Sequence, residues 1–189
     1  MTAARHYRGG LPLTAMRQRN CRYSPQDPDT SAADLARLPY TQQVFKESLR
    51  LYPPVPVYER VALEPMTVGG YRLDKGAFCT VFPWALHHRP EVYSDPDRFD
   101  PDRFREDREA KLHRYAFVPF GAGPRVCIGN HFALLEGPLV LATMLKRLSF
   151  EAIDPAPIGL DPRSATLRPI RPIRMRVQRK TTARPSATV

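Results

Sequence analysis

The residues best able to do chemistry form one stretch, Phe120-Gly121-Ala122-Gly123-Pro124-Arg125-Val126-Cys127-Ile128-Gly129, where a cysteine stands between glycines just ahead of a helical apolar pattern. A loop that opens into a helix aims backbone N–H groups and the positive helix end at the sulfur, a setting that favours the thiolate. A thiolate is an electron-rich, soft ligand for a metal centre. Gly123 and Gly129 allow the chain to turn and its backbone to approach a bound group closely. Arg125, two residues before the cysteine, can pair with a carboxylate of such a group, and Phe120 can screen the sulfur from water. The commoner fate of a lone cysteine is a buried structural thiol. The joint spacing of Phe120, Gly123, Arg125, Cys127 and Gly129 argues for a ligand instead.

These residues need elements to hold them. Cys127 to Leu148 has helical period, and Ile128, Phe132, Leu135, Leu139 and Leu145 make an apolar stripe that is expected to be buried. Gly137-Pro138 interrupts it, and the proline should clash with the Leu134 carbonyl at a cost of about 3 kcal/mol, kinking but not breaking the helix. Upstream, Ser31 and Asp34 signal a short helical turn over Asp34 to Leu38 that Pro39 ends. Val44, Phe45, Leu49 and Tyr52 then predict a helix over Thr41 to Tyr52, stopped by Pro53-Pro54. It carries Glu47 and Arg50, a spacing that alone suggests no more than a surface ion pair. Met66 to Val68, Tyr71 to Leu73 and Ala77 to Phe82, separated by Gly69-Gly70 and Asp74-Lys75-Gly76, read as an antiparallel sheet. A loop-rich stretch with one short helix near Glu91 to Tyr93 leads to Phe120, and Leu167 to Val177 suggests one or two exposed edge strands.

The Cys127 decapeptide resembles the cysteine-ligand loop of the cytochrome P-450 family, haem-thiolate monooxygenases. Glu47-Ser48-Leu49-Arg50 is similar to that family's E-x-x-R, and Pro101-Asp102-Arg103-Phe104 to its P-x-R-F segment. The resemblance implies an α+β, mainly helical fold: the C-terminal part of the cytochrome P-450 fold, with helix, small antiparallel sheet, meander, Cys-ligand loop and proximal helix in that order. It implies haem b, with Cys127 as axial ligand, Arg125 and Arg60 as propionate partners, and Phe120, Gly123 and Gly129 shaping the loop. Glu47, Arg50 and Arg103 would form a buried structural network, and His88-Arg89 resembles a further family dipeptide. A thiolate on haem iron favours cleavage of the O–O bond, so the implied function is insertion of one oxygen atom of O2 into a small organic substrate. The implied electron donor is a ferredoxin, a flavodoxin-like protein or a flavoprotein reductase, docking near Arg125, His131, Lys146 and Arg147.

The resemblance covers residues 31–178. Residues 1–30 read as a poorly ordered or non-family leader and 179–189 as a basic tail. Family members are more than twice as long, and nothing in residues 1–30 resembles their oxygen-activating acid-alcohol helix. The chain is therefore expected to be a fragment that holds haem loosely without coupled oxygenation, and a catalytically inactive haem-binding remnant is the alternative. The net charge of +10 invites a basic nucleic-acid-binding module, but residues 1–30 hold +3 and residues 163–189 hold +8, leaving −1 for 31–162. With no aromatic residues among the arginines of residues 163–189, a solvated tail is the better reading. Cys21, Cys79 and Cys127 are widely spaced, odd in number and form no C-x-x-C pair, so neither a disulfide framework nor a zinc site is suggested and a reducing, cytoplasmic setting fits best. No membrane segment is expected, because the longest apolar run, Phe132 to Leu145, is broken by Glu136, Gly137 and Pro138.

Overall fold

The computed structural model describes residues 31–153, 158–161 and 163–180. The expectations for residues 1–30, including Cys21, and for 181–189 lie outside them. The start signal at Ser31 forms as read: the Asp34 carboxylate accepts the Ser31 N–H at 2.9 Å and its hydroxyl at 3.0 Å. The turn that follows is a 3-10 helix, Ala32–Arg37. Pro39 does more than end it. It opens helix α1, Pro39–Leu51, because a residue with no N–H costs nothing in the first helical turn. Pro53 follows the Tyr52 cap, as the sequence required.

Strand β1, Tyr58–Val61, pairs antiparallel with β4, Phe78–Val81, and encloses a separate hairpin of β2, Met66–Val68, and β3, Tyr71–Leu73. The anticipated single sheet is thus two ladders. The hairpin turns at Gly69 and Gly70, whose φ angles of +57° and +84° lie in the region glycine tolerates. Strand β1 escaped the sequence reading because Glu59 and Arg60 interrupt its apolar pattern and its partner lies far along the chain. Helix α2, Pro83–His87, was also missed, while Glu91 to Tyr93 forms turns closing on the Arg89 carbonyl. A 3-10 turn at Pro101–Phe104 and the short helix α3, Glu106–Glu109, complete the meander.

Helix α4, Asn130–Arg147, starts three residues after Cys127 and runs through Pro138 unbroken. Strand β5, Leu148–Ala152, continues from it and pairs with β6, Met175–Arg179, so the predicted terminal strand has a partner the sequence did not reveal. The core lies where α1 meets α4: Tyr40 and Val44 are buried against Phe99, Leu141 and Leu145. Gly137 permits that approach, since a Cβ there would lie 2.3 Å from the Phe45 ring. The expected buried stripe on α4 needs correction. Pro138 and Ala142 are buried, Leu135, Leu139 and Leu145 are half-buried, and Phe132 is exposed, as is Ile128 just ahead of the helix. Apolar residues surround this helix, so periodicity cannot say which side meets α1.

Candidate haem-thiolate site

The site rests on a charged network that α1 carries into the interior. Glu47 and Arg50 are both fully buried, and their side chains meet as a bidentate pair, Arg50 Nε to Glu47 Oε2 at 2.7 Å and Nη2 to Oε1 at 2.9 Å. Such two-point pairing fixes orientation as well as charge. The second guanidinium of the network, Arg103, brings Nε to 3.5 Å from Glu47 Oε1 and donates through Nη2 to the Asp95 carbonyl at 2.9 Å. Glu47 Oε1 also accepts the Asp100 N–H at 2.8 Å, and Arg50 donates to the carbonyls of His87 at 2.7 Å and Arg98 at 3.2 Å. One carboxylate and two guanidinium groups thereby fasten α1 to the chain ahead of and within the Pro101–Phe104 turn.

The meander in turn fixes the segment ahead of the cysteine. Tyr93 lies against the Arg50 guanidinium, 5.0 Å from ring centroid to carbon, and donates its hydroxyl to the Ala116 carbonyl at 3.1 Å. Burial pushes that phenol up to about 12, so it stays a neutral donor. His87, also fully buried, makes its own bonds to Arg50 and to Val118. Nothing in the sequence marked out His87. The sequence singled out His88-Arg89, but His88 stacks on Trp84 and bonds its carbonyl at 2.7 Å, and Arg89 pairs at the surface with Glu91. Two adjacent histidines before a proline were the available signal, and only burial distinguishes them.

Beyond Pro119 the chain turns through Gly121 and Gly123, at φ +75° and +72°, and the Cys127 N–H closes the loop onto the Phe120 carbonyl at 2.9 Å. Gly121 needs its glycine as much as Gly123 does and was overlooked. Gly129, at φ −86°, caps α4 without left-handed backbone, and a Cβ there would lie 3.9 Å from Cys127 Sγ. Its bareness leaves the sulfur's flank open. Cys127 is exposed, Phe120 half-buried, and Arg125 exposed on the 3-10 turn Gly123–Arg125. Arg60 lies on β1 with its guanidinium over the Tyr58 ring at 4.8 Å and donating to the Glu59 carbonyl at 2.9 Å, both partners on its own strand. Of the expected docking cations, Arg125 and His131 flank the cysteine, whereas Lys146 and Arg147 end α4, about 24 Å away by helical rise.

The family model described as Cytochrome P450 matches residues 18–177. The chain belongs to the cytochrome P450 family. Cytochrome P450 4V2 of Mus musculus is 40% identical over 119 residues, covering 63% of this chain and 23% of that protein. Cytochrome P450 3A27 of Oncorhynchus mykiss is 38% identical over 157 residues, or 82% of this chain and 30% of the other. The crystal structure of the cytochrome P450DA heme domain superposes with a TM-score of 0.81 at 29% identity, covering 89% of this chain and 37% of that one. The chain thus spans about a quarter of the length of these curated P450 relatives.

Haem is the cofactor of the P450 family, and the donor set here suits it. Among the described residues no group of three or more His, Cys, Asp or Glu could hold a metal ion. Haem needs no such group, because the porphyrin supplies its own ring nitrogens and asks the protein for one axial ligand. Cys127 provides an accessible sulfur, Val126, Ile128 and Phe132 present exposed apolar surface near it in the chain, and Arg125 offers a cation. Among the described residues no helix is long and apolar enough to cross a membrane.

Proposed function

We propose that residues 31–178 form the haem-binding C-terminal part of a P450 monooxygenase, with Cys127 as the axial thiolate. The observation that carries this reading is the Cys127 loop, which is closed by its own backbone, turned by two positive-φ glycines and bare beside the sulfur. When bound, haem supplies oxygen activation for insertion of one oxygen atom into an organic substrate. Cys127 donates the anionic sulfur. Arg125 pairs with a haem carboxylate, and Phe120, Gly123 and Gly129 shape the loop. Arg60 is a second candidate for such a pair. Glu47, Arg50 and Arg103 are structural, holding α1 and the meander so that the loop keeps its place.

The exposed face around Arg125 and His131 suits an acidic electron donor of the ferredoxin or flavodoxin-like kind, or the flavin domain of a reductase. Cys79 and Cys127 are both free thiols, which fits a reducing cytoplasm. The test is spectroscopic. Chain loaded with haem and reduced under carbon monoxide is expected to show the red-shifted Soret band of thiolate ligation, and Cys127→Ala to lose it. Persistence of that band in Cys127→Ala refutes the assignment.

A further inference from the structure

We infer that His87 is a positioning residue that transfers the placement of the Glu47–Arg50–Arg103 network to the Cys127 loop, by bonding the Arg50 carbonyl with one ring nitrogen and the Val118 N–H with the other. This rests on the reading of Cys127 as the ligand, and goes beyond it by naming what holds the loop from behind.

The tautomer follows from the partners. Val118 N–H is a donor, 2.9 Å from His87 Nε2, so Nε2 must accept and the ring proton is on Nδ1. Nδ1 then donates to the Arg50 carbonyl at 3.2 Å. A charged imidazole would carry a proton on both nitrogens and lose the Val118 bond. Desolvation holds the ring well below the usual histidine value, at about 4, so the neutral form persists at neutral pH. Arg50 also grips His87 from the other side, its Nη1 donating to the His87 carbonyl at 2.7 Å. The two residues are thus joined at two points, and neither can move without the other.

Val118 is the last residue before Pro119 that can donate a backbone N–H, and Phe120 behind it receives the Cys127 N–H. The Val118 carbonyl accepts from Gly121 at 3.1 Å, closing the turn from inside. The Phe117 ring packs between His87, 5.4 Å away, and Phe104, 4.7 Å away. The path from network to ligand loop is therefore one bond long at its narrowest point. No ordinary core residue would fill this place, because an apolar ring leaves the Val118 donor and the Arg50 acceptor buried without partners.

Hydrogen exchange on the 189-residue chain without haem tests the proposal. His87→Gln reaches far enough to accept from Val118 and is expected to keep exchange over residues 117–128 within about twofold of the natural chain. His87→Asn is one carbon shorter, retains only the Arg50 side, and is expected to speed exchange there about tenfold or more while residues 39–51 hold. Equal exchange of the loop in both variants overturns the proposal, as does loosening of residues 39–51 in step with the loop in His87→Asn, which would mark a residue of general packing. Because no haem is present, this result and the carbon monoxide spectrum fail separately: a lost spectrum with the predicted exchange refutes ligation alone, and the reverse refutes His87 alone.

Discussion

Removing the Glu47 carboxylate is the most direct perturbation of the scaffold. Glu47→Ala deletes three accepted hydrogen bonds, two from Arg50 and one from the Asp100 N–H, together with the charge 3.5 Å from Arg103 Nε. Arg50 would remain fully buried as a cation with only neutral carbonyls for partners, those of His87 and Arg98. Stripping one partner from a buried pair costs about 3–5 kcal/mol, because the surviving charge keeps its desolvation penalty. Domains of this size have about 5–15 kcal/mol of stability in all, so the loss approaches the whole margin. With a urea slope of about 2 kcal/mol/M, the midpoint should fall by about 2 M. The exposed Arg72–Asp74 pair, 3.3 Å apart, is the control, and Asp74→Asn should leave the midpoint unchanged. A Glu47→Ala chain with the midpoint of Asp74→Asn would refute the view that this network carries the fold.

Further outcomes are expected. His87 is neutral in the fold, at about 4 against 6.5 when unfolded, so its contribution is complete above 6.5 and lost as pH falls towards 4. Across that window the natural chain should lose up to about 3 kcal/mol more stability than His87→Gln, and parallel pH profiles from denaturant titrations would contradict it. Gly137→Ala should cost about 1–3 kcal/mol by driving a methyl into the Phe45 ring, and adding Phe45→Leu should recover part of it, a coupling that a double-mutant cycle reads directly. Cys79→Ser should leave the haem spectrum unchanged, since Cys79 lies on β4 paired with Arg60 and supplies no ligand. The terminal arginines should bind nucleic acid only weakly and without sequence preference, and a sequence-selective gel shift at physiological salt would overturn that.

The sequence made the Cys127 loop and the order of elements legible because both depend on local pattern: fixed residue types at fixed spacing, and turn residues between short β runs. The role of Glu47 and Arg50 was not local. Their spacing alone describes a surface pair, and only the Asp95–Arg103 segment, folded over them, makes the pair a buried one. His87 was invisible for the same reason, since its partners are carried by α1 and by the strand of chain before Pro119. Gly137 read as a defect in a helix. In the fold it is the contact point at which Phe45 brings α1 and α4 together.

The error over the α4 stripe has a physical content of its own. Phe132, Val140 and Met144 of α4 are exposed, as is Ile128 just ahead of it, while Leu141 and Leu145 pack on α1. A helix apolar on both sides is suited to burial between two layers. Here α1 and the core supply one layer, and the curated relatives are about four times as long as the stretch they share with this chain. Ile128 and Phe132, both exposed, follow Cys127 directly in the chain, so the uncovered apolar surface begins beside the sulfur. The apolar enclosure that a haem requires and the burial that this helix calls for are therefore demands on the same surface.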